Sequence, residues 1–354
     1  DSFEVLLAAW RLGATFLPVR GWLSAPEVGE IVVDGSPTVI VADEEFLPLI
    51  PSAAHRILTR RPGDPTSEYE CDIATADPVR GFATAALDGM NTLLYTSGTS
   101  GTPKGVIGTW RMTLAAFMAN SASMGGGPET SLFAMAPQGH ASALLSFPLA
   151  VLQAGGSVAV LPEWDAREAL LAMADPTLGL THVIGIPEQF AEMTACSEFG
   201  AHTFGALRYA GAGGPLPPHI LAAWAAQRLP LVPIYALTEA PGCTQVDAAT
   251  VAHRPEALGW SSLQSELRIA RRGEASPPGV PGEVHVRGAA VTPGYWRQPE
   301  TTAAAFDHGW LRTGDFGFMD ASELLALVPS DPEDEGTTAA TPATATAPAT
   351  SDAE

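Results

Sequence analysis

The stretch Leu94-Tyr-Thr-Ser-Gly-Thr-Ser-Gly-Thr-Pro-Lys104-Gly-Val106 lies between two β-type runs, Asn91–Thr96 and Val106–Gly108. Gly98, Gly101 and Gly105 would let a ligand come close to the backbone. Thr96, Ser97, Thr99, Ser100 and Thr102 supply hydroxyl donors. Lys104 is the one lysine in 354 residues, against seventeen arginines. Its ammonium is a compact point charge on a flexible stem, whereas a guanidinium is a broad planar fork. These ingredients suit a phosphate cradle. The spacing is not that of a Walker A loop, which places Gly before the lysine and Ser or Thr after it. A flexible surface turn is the alternative reading of so much Gly, Ser and Thr. The strand on each side and the lysine at the end favour the cradle.

Outward from this loop the chain alternates between helix and strand signals. Before it, Phe3–Leu12 has helical apolar periodicity, Thr15–Val19 reads as a short strand, and Thr38–Ala42 as a buried parallel strand. Ser24 with Glu27 three residues on marks a helix start. Residues 60–89, polar and punctuated by Pro62, Gly63, Pro65 and Pro78, read as loop. After the loop come helix Thr113–Ser121, strand Leu132–Ala136, helix Ala143–Gln153, strand Ser157–Leu161 and helix Ala166–Ala174. Strand His182–Ile186, helix Glu188–Cys196, strand Leu207–Ala210, helix Pro218–Gln227 and strand Leu231–Tyr235 follow. Such alternation predicts a doubly wound α/β sheet. Beyond about residue 241 helical periodicity gives way to short strands between Gly/Pro turns, such as Leu267–Ala270 and Gly282–Arg287, which reads as a small β-rich subdomain. From Pro329 on, the Asp/Glu, Thr, Ala and Pro composition reads as a disordered tail.

The bulk numbers bound the function. The formal net charge of −21 argues against nucleic acid or an anionic membrane as partner. It also means that a polyphosphate site would be built locally, from backbone N–H groups, hydroxyls, one lysine and a metal ion. No apolar run reaches the roughly 18 residues of a membrane helix, and the first residues lack the basic start of a signal peptide. A cytoplasmic protein is the expectation. Cys71, Cys196 and Cys243 lie far apart with no CxxC or metal-ligand spacing, so reduced thiols are expected.

Several segments in order resemble the adenylate-forming superfamily, which includes acyl-CoA synthetases, nonribosomal-peptide adenylation domains and luciferases. Leu94–Val106 looks like its phosphate loop, and Leu6–Pro18 is similar to its early helix–strand segment. Pro137-Gln-Gly-His140 is similar to its acyl-pocket segment, and Gly211-Ala-Gly-Gly-Pro215 resembles its adenine-side glycine loop. Tyr235-Ala-Leu-Thr-Glu239 resembles its Tyr-Gly-x-Thr-Glu motif. Gly282–Gly288, Gly294-Tyr-Trp and Gly309-Trp-Leu-Arg-Thr-Gly-Asp315 resemble its late barrel motifs. Together they span residues 5 to 320.

The resemblance implies two doubly wound α/β subdomains, 1–120 and 121–240, then a β-rich distorted barrel, 241–328, and a tail, 329–354. It implies ATP-dependent joining of a carboxylic acid to AMP with release of pyrophosphate. A thiol, usually coenzyme A, then takes the acyl group; an adenylating subunit that loads a carrier protein and a non-catalytic nucleotide binder are the rival readings. Within the family pattern, Thr96–Thr102 and Lys104 would hold phosphates, and Gly213, Gly214, Pro215 and Ala236 would line the adenine side. Tyr235 would stack on adenine, or be a strand-end core tyrosine. Thr238 would donate to the α-phosphate. Glu239 would hold Mg²⁺, or be a helix-start carboxylate. Asp315 would accept both ribose hydroxyls, or serve as a turn aspartate. His140 would line the carboxylate pocket, or be structural. Ala236 replaces the family's usual glycine. The absence of an aspartate in Gly139–Ser142 favours a plain carboxylic acid over an amino acid. Pro329-Ser330 stands where the family has a Gly-Arg hinge before its mobile lid. On the resemblance, this is a large domain without its lid, whose adenylation is impaired unless a lid acts in trans.

Overall fold

A computed structural model describes residues 2–329 except 52–55, 97–102, 138, 140, 141, 162 and 272. The phosphate-loop residues Ser97, Gly98, Thr99, Ser100, Gly101 and Thr102, the acyl-segment residue His140 and almost all of the predicted tail therefore lie outside the described residues.

Helix α1 (Ser2–Arg11) packs through Leu6 against Leu144 and Leu149. Helix α2 (Ala25–Gly35) begins at the expected place: the Ser24 N–H and hydroxyl both donate to Glu27 Oε2, at 2.8 and 2.6 Å, and Pro26 fills the first turn. It precedes a parallel pair, β1 (Val39–Asp43) and β2 (Arg56–Arg60). The region expected as loop contains helix α3 (Glu68–Thr75). Tyr69 is its one buried residue and Arg56 ties down Asp72, so little periodicity marks it in a run of charges. The expected strand Thr15–Val19 is reduced to a single bridge, Phe16 with Thr92. Pro18 has no N–H to extend the ladder.

Strands β3 (Met90–Thr96) and β4 (Lys104–Thr109) form an antiparallel hairpin in which Thr96 faces Lys104. Helix α4 (Trp110–Met124) follows at once, capped by Thr109 at its start and by left-handed Gly125 at its end.

The alternating region folds as expected. Among the described residues β5 (Ser131–Ala134), β6 (Ser157–Val160), β7 (His182–Gly185), β8 (Tyr209–Gly213) and β9 (Val232–Ile234) form one parallel sheet, ordered β6-β5-β7-β8-β9. Helices α5 (Phe147–Gln153), α6 (Ala166–Ala174), α7 (Pro187–Ala195) and α8 (Pro218–Ala226) connect the strands. The helix expected over Ala143–Gln153 starts as a π-turn, Ser142–Ser146, and becomes α-helical only at Phe147, where Pro148 can occupy the first turn without a missing hydrogen bond. The main core is this sheet with its helices. Fully buried Trp224 is its anchor, packed among Phe190, Phe199 and Phe204, with its indole N–H donating to Thr194 at 2.9 Å.

Past residue 241 strands and turns take over as expected, but the strands are not all short, Trp310–Met319 running ten residues, and two short helices intervene, α9 (Ala248–His253) and α10 (Pro299–Ala305). Neither is long enough to leave a helical period. Strands β10 (Thr244–Gln245) and β11 (Trp260–Ser261) pair with each other. Strands β12 (Ser265–Arg271), β13 (Glu274–Ala275), β14 (Gly282–Gly288), β15 (Phe306–Asp307), β16 (Trp310–Met319) and β17 (Leu325–Val328) form an antiparallel sheet around a second core of Leu258, Ile269, Val284, Val286, Leu311 and Leu325. Among the described residues no helix is long and apolar enough to cross a membrane.

Candidate nucleotide site

Strand order in the parallel sheet positions the first half of the site. In an open parallel sheet, ligands bind in the crevice beyond the carboxyl ends of the strands. Strands β8 and β9 are neighbours, with Gly213 opposite Ile234. The glycine loop after β8 and the Tyr235 segment after β9 therefore leave the sheet side by side. Gly213 and Pro215 are exposed. Gly214 has φ +136°, a conformation that side chains rarely adopt, and so fixes the turn. Pro137 and Gly139 follow β5 at the same end of the sheet.

Tyr235 turns its ring into the second core, where it is only 4% exposed. Its hydroxyl donates to Asp315 Oδ2 at 2.8 Å. Burial, then the Asp315 carboxylate, pushes the phenol well above its usual range, so it stays a donor. The ring faces are largely covered, so this structure does not present Tyr235 as an open stacking platform. Asp315 lies on β16, where its N–H donates to Thr313 Oγ1 at 3.0 Å. Burial raises its carboxyl above 3.8, and the Tyr235 hydrogen bond partly offsets this.

Thr238 and Glu239 form the tip of a tight turn, closed by reciprocal backbone hydrogen bonds of 3.1 Å between Leu237 and Ala240. No helix begins there, so the helix-start reading of Glu239 is set aside. Ala236 is exposed and is not among the positive-φ residues, so the backbone makes no demand for glycine at that position.

The second half of the site comes from a segment to which the sequence attached a motif but no role. Residues 292–298 strap the β3–β4 hairpin to the Glu239 turn. Thr292 N–H donates to the Glu239 carbonyl at 2.8 Å, while Thr292 Oγ1 donates to the Ile107 carbonyl at 2.7 Å. Trp296 N–H donates to the Gly105 carbonyl at 2.7 Å, and Ile107 N–H to that of Gly294 at 3.1 Å. Tyr295, at the centre of the strap, donates its hydroxyl to Glu239 Oε1 at 3.0 Å. Lys104 Nζ stands 5.5 Å from the centre of its ring. Gly294-Tyr-Trp was visible in the sequence, but nothing there said that Tyr295 would touch both Lys104 and Glu239.

Among the described residues no group of three His, Cys, Asp or Glu is placed to hold a metal. Glu239 offers a single hard oxygen ligand. That fits Mg²⁺, which is commonly held by one or two carboxylates with water and substrate phosphates completing the shell.

A parallel sheet with glycine and carboxylate loops at its carboxyl ends, tied through residues 292–298 to a hairpin strand that carries Lys104, defines an α/β protein with a candidate nucleotide site. Residues 1–296 match the family model described as "AMP-binding enzyme", and the chain belongs to that family. It is 31% identical over 333 residues to a feruloyl-CoA synthase of Amycolatopsis sp, covering 92% of this chain and 65% of that protein. It is 30% identical over 341 residues to an indoleacetate–CoA ligase of Aromatoleum aromaticum, covering 92% and 65% respectively. The chain thus spans somewhat less than two thirds of each of these relatives. The fold is similar, with TM-score 0.81 and 25% identity, to an inhibitor-bound N-terminal domain of FACL13 from Mycobacterium tuberculosis, covering 92% of this chain and 82% of that one.

Proposed function

We propose that the chain binds ATP with Mg²⁺ and activates a carboxylic acid as an acyl-adenylate, whose acyl group the thiol of coenzyme A then takes as a thioester as AMP leaves. The observation that carries this reading is the convergence on one strap of Lys104, at the base of the phosphate hairpin, and Glu239.

In this reaction a carboxylate oxygen attacks the α-phosphorus and pyrophosphate leaves. Little covalent chemistry falls to the protein; its work is positioning and charge stabilisation. Lys104 binds the β/γ side of the triphosphate, and Thr238 donates to the α-phosphate. Asp315, held by Tyr235, accepts the ribose hydroxyls, for which its two oxygens match an adjacent diol. Tyr235 acts chiefly through Asp315 and bounds the adenine side by the edge of its ring. Glu239 holds the metal, which when bound neutralises phosphate charge. The acid enters by Pro137–His140. The two relatives are named for aromatic acids, and an aromatic acid is the substrate class to try first.

The test is acid-dependent exchange of labelled pyrophosphate into ATP across aromatic and aliphatic acids. Exchange that Lys104→Ala and Glu239→Ala abolish supports adenylation. ATP binding without exchange of any acid supports a nucleotide binder instead. Transfer to a carrier protein but not to coenzyme A moves the acceptor, not the chemistry.

A further inference from the structure

Lys104 and Glu239 carry opposite charges in one site, and each has a ligand to serve. A direct ion pair between them would engage both groups at once. It would satisfy the ammonium with the carboxylate and leave neither free for phosphate or metal. Tyr295 has contacts with both. Its hydroxyl gives Glu239 Oε1 one hydrogen bond and leaves the carboxylate's other lone pairs open. Its ring offers the ammonium a neutral, electron-rich face. The strap fixes the tyrosine against both partners: Val106 on the lysine's strand bridges Tyr295, and Thr292 holds the Glu239 backbone.

We propose that Tyr295 is a positioning residue that keeps Lys104 and Glu239 apart and aimed, the ammonium toward phosphate and the carboxylate toward metal. The inference rests on the reading of the site as one for ATP with Mg²⁺. The two halves of Tyr295 have separable duties. The hydroxyl serves Glu239, and through it the metal. The ring serves Lys104, and through it the phosphates.

The experiment measures ATP binding by calorimetry, with EDTA and across a Mg²⁺ titration, for the wild-type chain, Tyr295→Phe and Tyr295→Leu. Thermal melting of each reports folding. Tyr295→Phe keeps the ring and loses the hydroxyl. It is expected to leave ATP affinity in EDTA within about twofold and to raise the Mg²⁺ concentration for half-maximal enhancement about tenfold, the size of one lost hydrogen bond to a charged group. Tyr295→Leu is expected to match that shift and also to weaken ATP binding in EDTA by about threefold or more, from the lost cation–ring contact. A Tyr295→Phe protein that melts like wild type and either shows no Mg²⁺ shift or loses affinity equally with and without Mg²⁺ overturns the proposal. If the wild-type chain binds no ATP under either condition, the nucleotide reading itself fails, and the proposal with it.

Discussion

Tyr235 and Asp315 are eighty residues apart in sequence, yet the tyrosine hydroxyl donates to Asp315 Oδ2 at 2.8 Å. The bond joins the end of the parallel sheet to the long strand of the β-rich sheet. It also sets the charge state of the proposed ribose acceptor. Burial raises the Asp315 carboxyl above 3.8, and the hydrogen bond pulls it back. The proposed ribose contact uses the ionised form, so affinity should fall on acidification at a midpoint raised from the carboxyl's ordinary value. Tyr235→Phe, which removes the hydrogen bond that lowers this value, should move that midpoint further up. Calorimetry of AMP binding between pH 4 and 8 (assay conditions on the order of those in which carboxylates titrate) reads it.

The same carboxyl has the opposite sign in the stability of the free protein. Its folded value is raised, so its contribution is fully present below 3.8 and is lost as pH rises through the folded value. Asp315→Asn should therefore flatten this part of the pH–stability curve in urea denaturation. It should also remove discrimination between ATP and 2′,3′-dideoxy-ATP, which in the wild type should be about tenfold or more from lost charged hydrogen bonds. Retained discrimination in Asp315→Asn would place the ribose elsewhere.

The sequence contains one lysine, so an amine-acylating reagent has two kinds of target, Lys104 and the N-terminal amine. ATP should protect Lys104 from acylation and leave the N-terminus reactive, as peptide mapping by mass spectrometry can show. Lys104→Ala should lower pyrophosphate exchange about 10²–10³-fold, as for loss of one preorganised charge contact. Lys104→Arg should recover little of this, because the planar fork does not reproduce a point charge at the end of the hairpin strand. Full exchange in Lys104→Ala would remove the lysine from the reaction.

Period and punctuation made the central sheet legible, because strands buried on both faces read as apolar runs and each connecting helix carries its own stripe. Strand pairing between distant segments was not legible. Glu239 and Asp315 could be picked out by motif, but their hydroxyl partners, Tyr295 and Tyr235, are set by tertiary contacts 56 and 80 residues away. Helix α3 was missed for a related reason. It buries one side chain, Tyr69, whose hydroxyl reaches Glu4 across 65 residues, and such a helix leaves almost no local signal. The pattern of a chain reports what each element does to its own burial, and the site depends on what elements do to each other.

Ala236 stands where glycine is usual in motifs of this kind, and its backbone shows no positive φ. Ala236→Gly should therefore gain nothing in geometry. Added freedom in the unfolded chain should cost about 0.4–1 kcal/mol, and exchange activity should stay within about twofold. A rise in ATP affinity well beyond that, in the same calorimetric assay, would mean that the methyl group limits how closely the nucleotide approaches.

Gly294 tests the strap without touching a proposed ligand contact. Its φ is +144°, and a Cβ there would collide with the Thr302 side chain, whose hydroxyl accepts the Tyr295 N–H at 2.9 Å. Gly294→Ala strains the backbone in any case, at about 1–3 kcal/mol, and its clash is relieved either within the Thr302 side chain alone or by a displacement that lifts Tyr295 away from Glu239. The two outcomes separate in measurement. Relief within Thr302 alone lowers the urea midpoint and leaves the Mg²⁺ dependence of ATP binding unchanged. Displacement shifts the Mg²⁺ dependence in the direction of Tyr295→Phe. The double variant with Thr302→Ser removes the methyl, the nearest atom to the new Cβ, keeps the hydroxyl at 2.7 Å, and should restore part of the lost stability. The methyl collision is the larger part of the cost only if that rescue reaches about half of it, since backbone strain at a positive φ remains whatever the neighbour.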